Sequence, residues 1–310
     1  MRLIVLVTFL AWALAVRPAS AEAYFLTVAG LGGEPDYERE FSALAADLDR
    51  TLKGPEAHVY TLSGEDASRA QLIHTLQLIA GLAQPADEFV LILIGHGSFD
   101  GIDYKFNLVG PDISAAALAG LCNRIAAKRQ LIINTTSASG GSIPVLARGG
   151  RAVIAATKSG TEKNATIFAR YFVDALQDPT ADLDKNDAIS ALEAFEYATA
   201  KTAAFYEAQK RLATEHAVFV DTPNAAPVRA ASTQTGAGRF LSSLVLVRLG
   251  AARTAAADPA KRQLLDQKEQ LERRIDTLKY QRAAMSAEDY KRELTDALVQ
   301  LAKIEQQLEP

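Results

Sequence analysis

The most constraining feature of this sequence is a continuous apolar run, FVLILIG at residues 89–95. A strand with one face in solvent alternates apolar and polar residues, whereas a strand covered on both faces is apolar throughout. Further short apolar runs at 23–30, 57–62, 130–134 and 151–156 are separated by helical patterns. Strands that alternate with helices predict parallel βαβ units. We therefore expect an α/β fold, with a mostly parallel sheet as the middle layer of an α/β/α sandwich.

Helical patterns, in which apolar residues recur three or four positions apart, lie at 37–52, 67–83, 114–127 and 163–176. A further apolar run at 239–250 predicts a final strand that returns to the sheet. Residues 22–250 are thus predicted to form one α/β domain.

Composition narrows the classes of partner. The chain has 310 residues, of which 49% are hydrophobic, and a formal net charge of −4. This length suits one domain with an appendage. The sequence contains no block of basic residues, so we do not expect nucleic acid as a partner.

The N-terminus has the pattern of a secretory signal peptide. Arg2 is followed by an apolar run at 3–16, which is short for a membrane span. Small residues at 19–21 predict cleavage before Glu22. We therefore expect residues 1–21 to be removed and the protein to be exported, to the periplasm or outside the cell. After cleavage the chain would not be an integral membrane protein; an uncleaved anchor is the alternative.

The pattern changes after residue 250. Apolar residues at heptad spacing predict a helical hairpin or short coiled coil over 251–310. Docking on the α/β domain, binding of a partner and formation of a homo-oligomer through 259–310 are all compatible with this spacing.

Two loops after predicted strands carry the candidate catalytic residues. In parallel sheets, ligands bind beyond the carboxyl ends of the strands. The central run ends in GHG, with His96 between Gly95 and Gly97. Flanking glycines let the backbone approach a substrate and leave an amide free to donate. The run at 130–134 continues into NTTSASGG, which presents Ser137 on a tight turn.

The order of these motifs resembles the caspase–legumain superfamily of cysteine peptidases, and its legumain branch most. The shared pattern is strand–His-Gly, then about forty residues later strand–x-x-nucleophile-x-Ser-Gly, with Ser137 in the nucleophile position. The segments VAGLGGEPDYERE and AATKSGTE resemble loops of the same branch. The resemblance spans roughly residues 24–176. It implies a caspase-like sheet and a peptidase-like site.

The nucleophile position departs from the family. The resemblance implies cysteine where this chain has Ser137, and an acidic residue where it has Thr135. An alcohol is far less acidic than a thiol and needs a tightly placed base. We therefore expect most activity to be lost. The oxyanion donors that the resemblance implies, the backbone N–H groups of Gly97 and Ser137, would survive the exchange.

The substrate pocket departs as well. Legumain-like enzymes carry an Asn-Tyr-Arg segment there, and an ungapped overlay places Asp36, Tyr37 and Glu38 in it. An anionic group thus replaces a cationic one. We expect Asp36 and Glu38 to bind substrate and to prefer a basic residue.

The sequence leaves three functions open, and it does not decide whether the chain is an enzyme. The first, which the loss of cysteine favours, is an exported peptidase homologue that no longer cleaves and binds a peptide or protein. The second is an active serine endopeptidase with a Ser137–His96 dyad, helped by Asp100 or Asp103. The third is an assembly module that acts through 259–310.

A second site is predicted at residues 182–193, DLDKNDAISALE, which have the spacing of an EF-hand calcium loop. The predicted ligands are Asp182, Asp184, Asn186, the carbonyl of Ala188, Ser190 and Glu193. Asp187 stands at the sixth position, where glycine is usual, but aspartate tolerates positive φ better than most residues. We expect structural calcium; the alternative is a capped helix–loop–helix with a solvated acidic loop.

Overall fold

The structure is a computed structural model in which residues 21–308 are described. Apart from Ala21, the predicted signal peptide lies outside the described residues. The strands are β1 (Ala23–Ala29), β2 (Ala57–Leu62), β3 (Glu88–Ile94), β4 (Gly97–Phe99), β5 (Tyr104–Phe106), β6 (Ile113–Ser114), β7 (Arg129–Asn134), β8 (Arg151–Ala155), β9 (Ala188–Ser190), β10 (Val218–Val220) and β11 (Val245–Arg248). The helices are α1 (Pro35–Leu52), α2 (Arg69–Leu82), α3 (Ala115–Cys122), α4 (Ile143–Leu146), α5 (Phe168–Ala175), α6 (Ala191–Ala208), α7 (Arg239–Ser242), α8 (Gly250–Ala256), α9 (Pro259–Gln281) and α10 (Ala287–Leu308).

The central sheet has six strands in the order β10-β8-β7-β3-β1-β2. Five of these strands, β1, β2, β3, β7 and β8, are parallel, and β10 runs antiparallel to β8 at one edge. The most apolar run of the sequence lies at the centre, as β3, between β1 and β7. The predicted mostly parallel α/β sheet is therefore confirmed.

Helices cover both faces of this sheet because alternate residues of each strand point to opposite sides. Along β3, Val90, Ile92 and Ile94 join the core beneath α1, α5 and α6. Leu91 and Leu93 join the second core, which α2, α3 and α4 cover. Both faces are thus buried, which explains the absence of polar alternation in this strand.

The prediction of a last strand at 239–250 was wrong in its partner and its length. Arg239–Ser242 is helical, and Val245–Arg248 pairs with β9 in a separate two-stranded sheet. The sixth strand of the central sheet is Val218–Val220. A strand of three residues is too short to show a periodic pattern, so its pairing depends on the tertiary fold.

The predicted helical hairpin is present at the C-terminus. The helices α9 and α10 pack against each other, and α9 also contacts the α/β domain. Arg248 forms ion pairs with Glu269 (2.8 Å) and Asp266 (3.4 Å), and Arg262 pairs with Glu56 (3.3 Å). Across residues 21–308, no helix has the length and apolar character needed to cross a membrane.

Candidate functional site

The sheet brings the two candidate catalytic loops together. β3 and β7 are parallel neighbours, and Leu93 near the end of β3 lies opposite Asn134 at the end of β7. His96 follows β3 and Ser137 follows β7, so both lie at the carboxyl-terminal edge of the sheet, where the parallel strands end. This is the edge where ligands bind in open α/β sheets.

Ser137 and Gly97 are bonded to each other in both directions. The Ser137 hydroxyl accepts a hydrogen bond from the Gly97 N–H (3.1 Å) and donates one to the Gly97 carbonyl (3.0 Å). The serine is only 4% exposed. The candidate nucleophile and one predicted oxyanion donor therefore satisfy each other.

Only glycine fits at position 97. A Cβ there would lie 2.5 Å from the ring of Tyr104 and 2.6 Å from the carbonyl oxygen of Ser137. Such distances are well inside normal van der Waals contact. The close approach of the two loops thus depends on the missing side chain.

His96 is held by aromatic contacts. Its ring makes edge contacts with Tyr37 (4.8 Å between centroids) and Phe41 (5.2 Å). No hydrogen bond joins His96 to Ser137 in the part of the chain that the structure describes. Burial lowers the pKa of His96 below its ordinary value, although a backbone hydrogen bond with Gly32 opposes this change. The imidazole is therefore neutral near pH 7, the form that can accept a proton.

The other hydroxyls of the NTTSASGG segment hold the loop in place. Thr135 donates to the carbonyl of Leu93 (2.8 Å), and Thr136 bonds the buried hydroxyl of Tyr104 (2.6 Å). Ser139 bonds Thr157 (3.1 Å). These side chains are buried. They stabilise the turn and do not present a row of nucleophiles to solvent.

The residue after the serine has unusual backbone geometry. Ala138 has a left-handed conformation with φ of 56°, which is rare for a residue with a Cβ. Its N–H donates to the carbonyl of Glu162 (2.7 Å). Such a conformation persists only where the surroundings impose it, and functional sites are frequent locations.

Sequence reasoning missed a His–Glu pair that supports this turn. The carboxylate of Glu162 contacts His216 Nδ1 at 2.5 Å and accepts the Lys158 N–H (2.9 Å). Because the Glu162 carbonyl holds Ala138, this pair braces the serine loop from the β8 side. Glu162 lies in the strand-end segment ATKSGTE, which was a usable signal. His216 carries no sequence signal, since it comes close only through the return of the chain to β10.

The two predicted substrate-binding acids have other partners. Asp36 is exposed and pairs with Arg39 on the next turn of α1 (2.5 Å). Glu38 accepts hydrogen bonds from the N–H groups of Gly32 (2.7 Å) and Gly33 (3.4 Å). Glu38 thus shapes the loop after β1, beside the ring of Tyr37.

Neither predicted helper acid reaches the histidine. Asp100 accepts the N–H groups of Ile102 (2.9 Å) and Asp103 (2.8 Å) in the turn between β4 and β5. These bonds lower the pKa of Asp100. Within residues 21–308, neither Asp100 nor Asp103 hydrogen-bonds His96, so the geometry contains no His–Asp pair at this position.

The acidic loop brings three predicted metal ligands together. Carboxylate oxygens of Asp182, Asp184 and Glu193 lie within 4.8 Å of one another. Burial and the charge of Glu193 raise the pKa of Asp184 to about 6. Oxygen ligands at this spacing fit a hard divalent cation such as calcium.

The backbone of this loop has the expected turns. Asp187, at the sixth position, has φ of 63°, which meets the requirement that glycine usually fulfils. Asn186 donates its N–H to Asp182 (3.1 Å), and Ser190 caps α6 in a reciprocal bond pair with Glu193.

No protein-family model matches the chain, and no curated protein matches it. Among solved structures, it is similar to protein GSU0716 from Geobacter sulfurreducens, with a TM-score of 0.45, 12% identity, and coverage of 67% of this chain and 97% of that chain.

Two caspases are also similar. For the Drosophila initiator caspase Dronc, the TM-score is 0.42 and the identity 12%, with coverage of 72% of this chain and 84% of that chain. For caspase-1 from Spodoptera frugiperda, the TM-score is 0.44 and the identity 12%, with coverage of 68% and 90%. Identities at this level concern the fold and say nothing about activity.

Proposed function

We propose that this protein is a peptidase-like homologue that binds a peptide or protein segment at the His96–Ser137 edge and does not cleave it. The observation that carries the proposal is the two-way bond between Ser137 and Gly97. A nucleophilic alcohol needs a base that takes its proton, and here the proton is donated to a backbone carbonyl. The only imidazole in this loop, His96, contacts aromatic rings.

The same bond occupies one of the two predicted oxyanion donors. The Gly97 N–H would have to donate to a developing oxyanion, yet it already donates to the Ser137 hydroxyl. Catalysis would require the Ser137 side chain to leave this bonded position, whereas binding would not. The half-buried side chain of Tyr37, beside His96, remains for recognition.

The experiment is incubation of residues 22–310, with calcium, with a mixed peptide pool. We expect no cuts that depend on Ser137, so the wild type and Ser137→Ala should give the same product pattern. The matched control is Ser98→Ala, an exposed serine on β4 in the adjoining loop. Cuts that vanish in both Ser137→Ala and His96→Ala, and persist in the control, would instead establish a serine peptidase.

Peptide binding is measured in the same pool by retention on the immobilised protein. The proposal includes a preference for basic residues near Asp36, whose carboxylate lies on the exposed side of α1. Retained peptides should be enriched in lysine and arginine, and Asp36→Asn should remove the enrichment. Equal retention of acidic and basic peptides would contradict this preference.

We further propose that the 182–193 loop binds calcium in a structural role. Three carboxylate oxygens within 4.8 Å repel one another when ionised, and a divalent cation would neutralise them. Asp182, Asp184 and Glu193 would hold it. Export after cleavage before Glu22 belongs to the same proposal, because extracellular calcium reaches millimolar concentrations that fill weak sites.

A further inference from the structure

A pocket at the amino-terminal ends of the central strands is lined by positively charged side chains, and no acidic residue in the described part of the chain lines it. It has a volume of about 310 Å³ and lies beside the first residues of β7 and β8, whereas the candidate active site lies where these strands end. Lys128, Arg148 and Arg151 line it. None of the described residues around the pocket is acidic. This contrasts with the net negative charge of the chain.

Arg151 is the most buried of these cations, at 3% exposure. Its guanidinium donates to Gln130 Oε1 (2.8 Å), to the carbonyl of Leu146 (3.3 Å) and to Asn123 Oδ1 (2.8 Å). All three acceptors are neutral, and the guanidinium forms no ion pair within residues 21–308. Burial of a charge without a partner is costly, so this position calls for an anion.

The guanidinium of Arg148 increases the cost of burying the Arg151 charge. Arg148 donates to the same oxygen, Asn123 Oδ1, at 2.6 Å. The two arginines therefore lie within two hydrogen-bond lengths of each other and repel. Burial and this neighbour both lower the pKa of Arg151. Arg148 is exposed and has no ion pair among the described residues. Neither burial nor an ion pair therefore fixes its position beside Arg151.

Backbone carbonyls offset only part of the cost of burying the Arg151 charge. Gln130, which accepts from Arg151, donates to the carbonyls of Cys122 (3.3 Å), Ile125 (3.2 Å) and Ala127 (3.0 Å) after α3. These dipoles orient the amide toward Arg151. They supply no net negative charge, and the positive charges of Lys128 and Arg148 remain.

We propose that this pocket binds a small oxyanion of the phosphate class between Arg148 and Arg151, with Lys128 at its rim. A guanidinium has five N–H donors, and Arg151 uses three of them in the bonds above. Two therefore remain for an anion. The planar fork of arginine matches the spacing of phosphate oxygens, and a pair of such groups can hold one anion from two sides.

The test is thermal unfolding of the purified protein in inorganic phosphate, in glucose 6-phosphate and in chloride at equal ionic strength. Near saturation we expect the midpoint to rise by about 2–4 °C with at least one of the two phosphates. Arg148→Ala and Lys128→Ala should each lose at least half of this rise. Both side chains are exposed, so these variants leave the core intact.

Matched controls are Arg69→Ala and Lys291→Ala, which remove exposed cations that have no ion pair in the described chain. The controls should keep the full rise. An equal rise in the wild type and Arg148→Ala would reveal a general salt effect and overturn the proposal, as would no rise with either phosphate. A rise with glucose 6-phosphate alone would support the proposal with a phosphate ester as ligand. A rise with inorganic phosphate would support it with the free ion.

Discussion

The hydroxyl of Ser137 is locked to the backbone of Gly97 by one accepted and one donated hydrogen bond, of 3.1 and 3.0 Å. This contact joins the loop after β3 to the loop after β7. It makes Ser137 a structural link between the two loops, and both hydrogen bonds go to backbone groups and not to the imidazole of His96.

Removal of the Ser137 hydroxyl should therefore cost stability. Ser137→Ala removes the side-chain partner of the half-buried N–H and carbonyl of Gly97, and we expect a loss of about 1–2 kcal/mol in the free energy of unfolding. Urea denaturation measures this loss. Ser98→Ala, on the exposed side of the same hairpin, should change stability by less than about 0.5 kcal/mol. Equal stability of the two variants would contradict a structural role for Ser137.

Gly97→Ala should be much more disruptive. Its Cβ would overlap the ring of Tyr104 and the carbonyl of Ser137, and the required shifts should cost about 2–4 kcal/mol. The matched control is Gly120→Ala in α3, where an added Cβ meets nothing within 4 Å. That change should stabilise the helix by about 0.5–1 kcal/mol. Similar effects of both substitutions would show that the two loops are not tightly packed.

His96 should make stability depend on pH. Its pKa in the folded protein lies below the ordinary value of 6.5, so the unfolded chain binds the proton more readily. Stability should then fall as pH decreases through about 6.5 and should be unaffected by this group above that pH. Denaturation midpoints at pH 8 and pH 5 should differ less for His96→Gln than for the wild type. An unchanged pH response in the variant would show that His96 titrates normally.

Calcium should stabilise the protein in a pH-dependent way. We expect millimolar calcium to raise the thermal midpoint by about 2–4 °C at pH 7.5. At pH 5 the rise should be smaller, because Asp184, with a pKa of about 6, is then largely protonated and protons compete with the cation. Glu193→Gln should abolish the rise, and Glu207→Gln, on the exposed side of the same helix α6, should preserve it. A midpoint that calcium leaves unchanged would rule out the site.

The C-terminal hairpin should detach when its ion pairs are removed. Arg248→Ala removes the cation that pairs with Glu269 and Asp266 of α9, at an expected cost of about 1–3 kcal/mol. Limited proteolysis of 259–308 measures the detachment. Arg274→Ala, whose pairs with Glu293 and Asp296 lie within the hairpin, should not increase cleavage between the hairpin and the domain. Equal cleavage in both variants would contradict docking through Arg248.

The layered fold followed from local patterns. β3 is buried on both faces, so its uninterrupted apolar run was visible without knowledge of its neighbours. The three-residue strand β10 and the pairing of β9 with β11 were not visible, because strands this short obtain their stability from the partner strand. The error at 239–250 has the same cause.

The candidate site, like the fold, was only partly predictable from the sequence. Glycines around His96 and a strand end before Ser137 placed both residues at one edge of the sheet. The spacing of residues in a sequence does not tell where their side chains point. It therefore did not indicate that Ser137 bonds Gly97 or that His96 packs against Tyr37 and Phe41. The pairing of Glu162 with His216 was likewise not predictable, since the two residues are far apart in the chain.

By itself, the sequence determined which segments are apolar on two faces, which loops follow them and where acidic residues recur at metal-ligand spacing. These are properties of short windows, in which hydrophobic burial and backbone preferences act locally. Only the tertiary structure decided which polar groups satisfy one another across the loops. It closed Ser137 onto Gly97 and buried Arg151 with no acidic partner among residues 21–308, because hydrogen bonds and charge pairs depend on distances between residues remote in the chain.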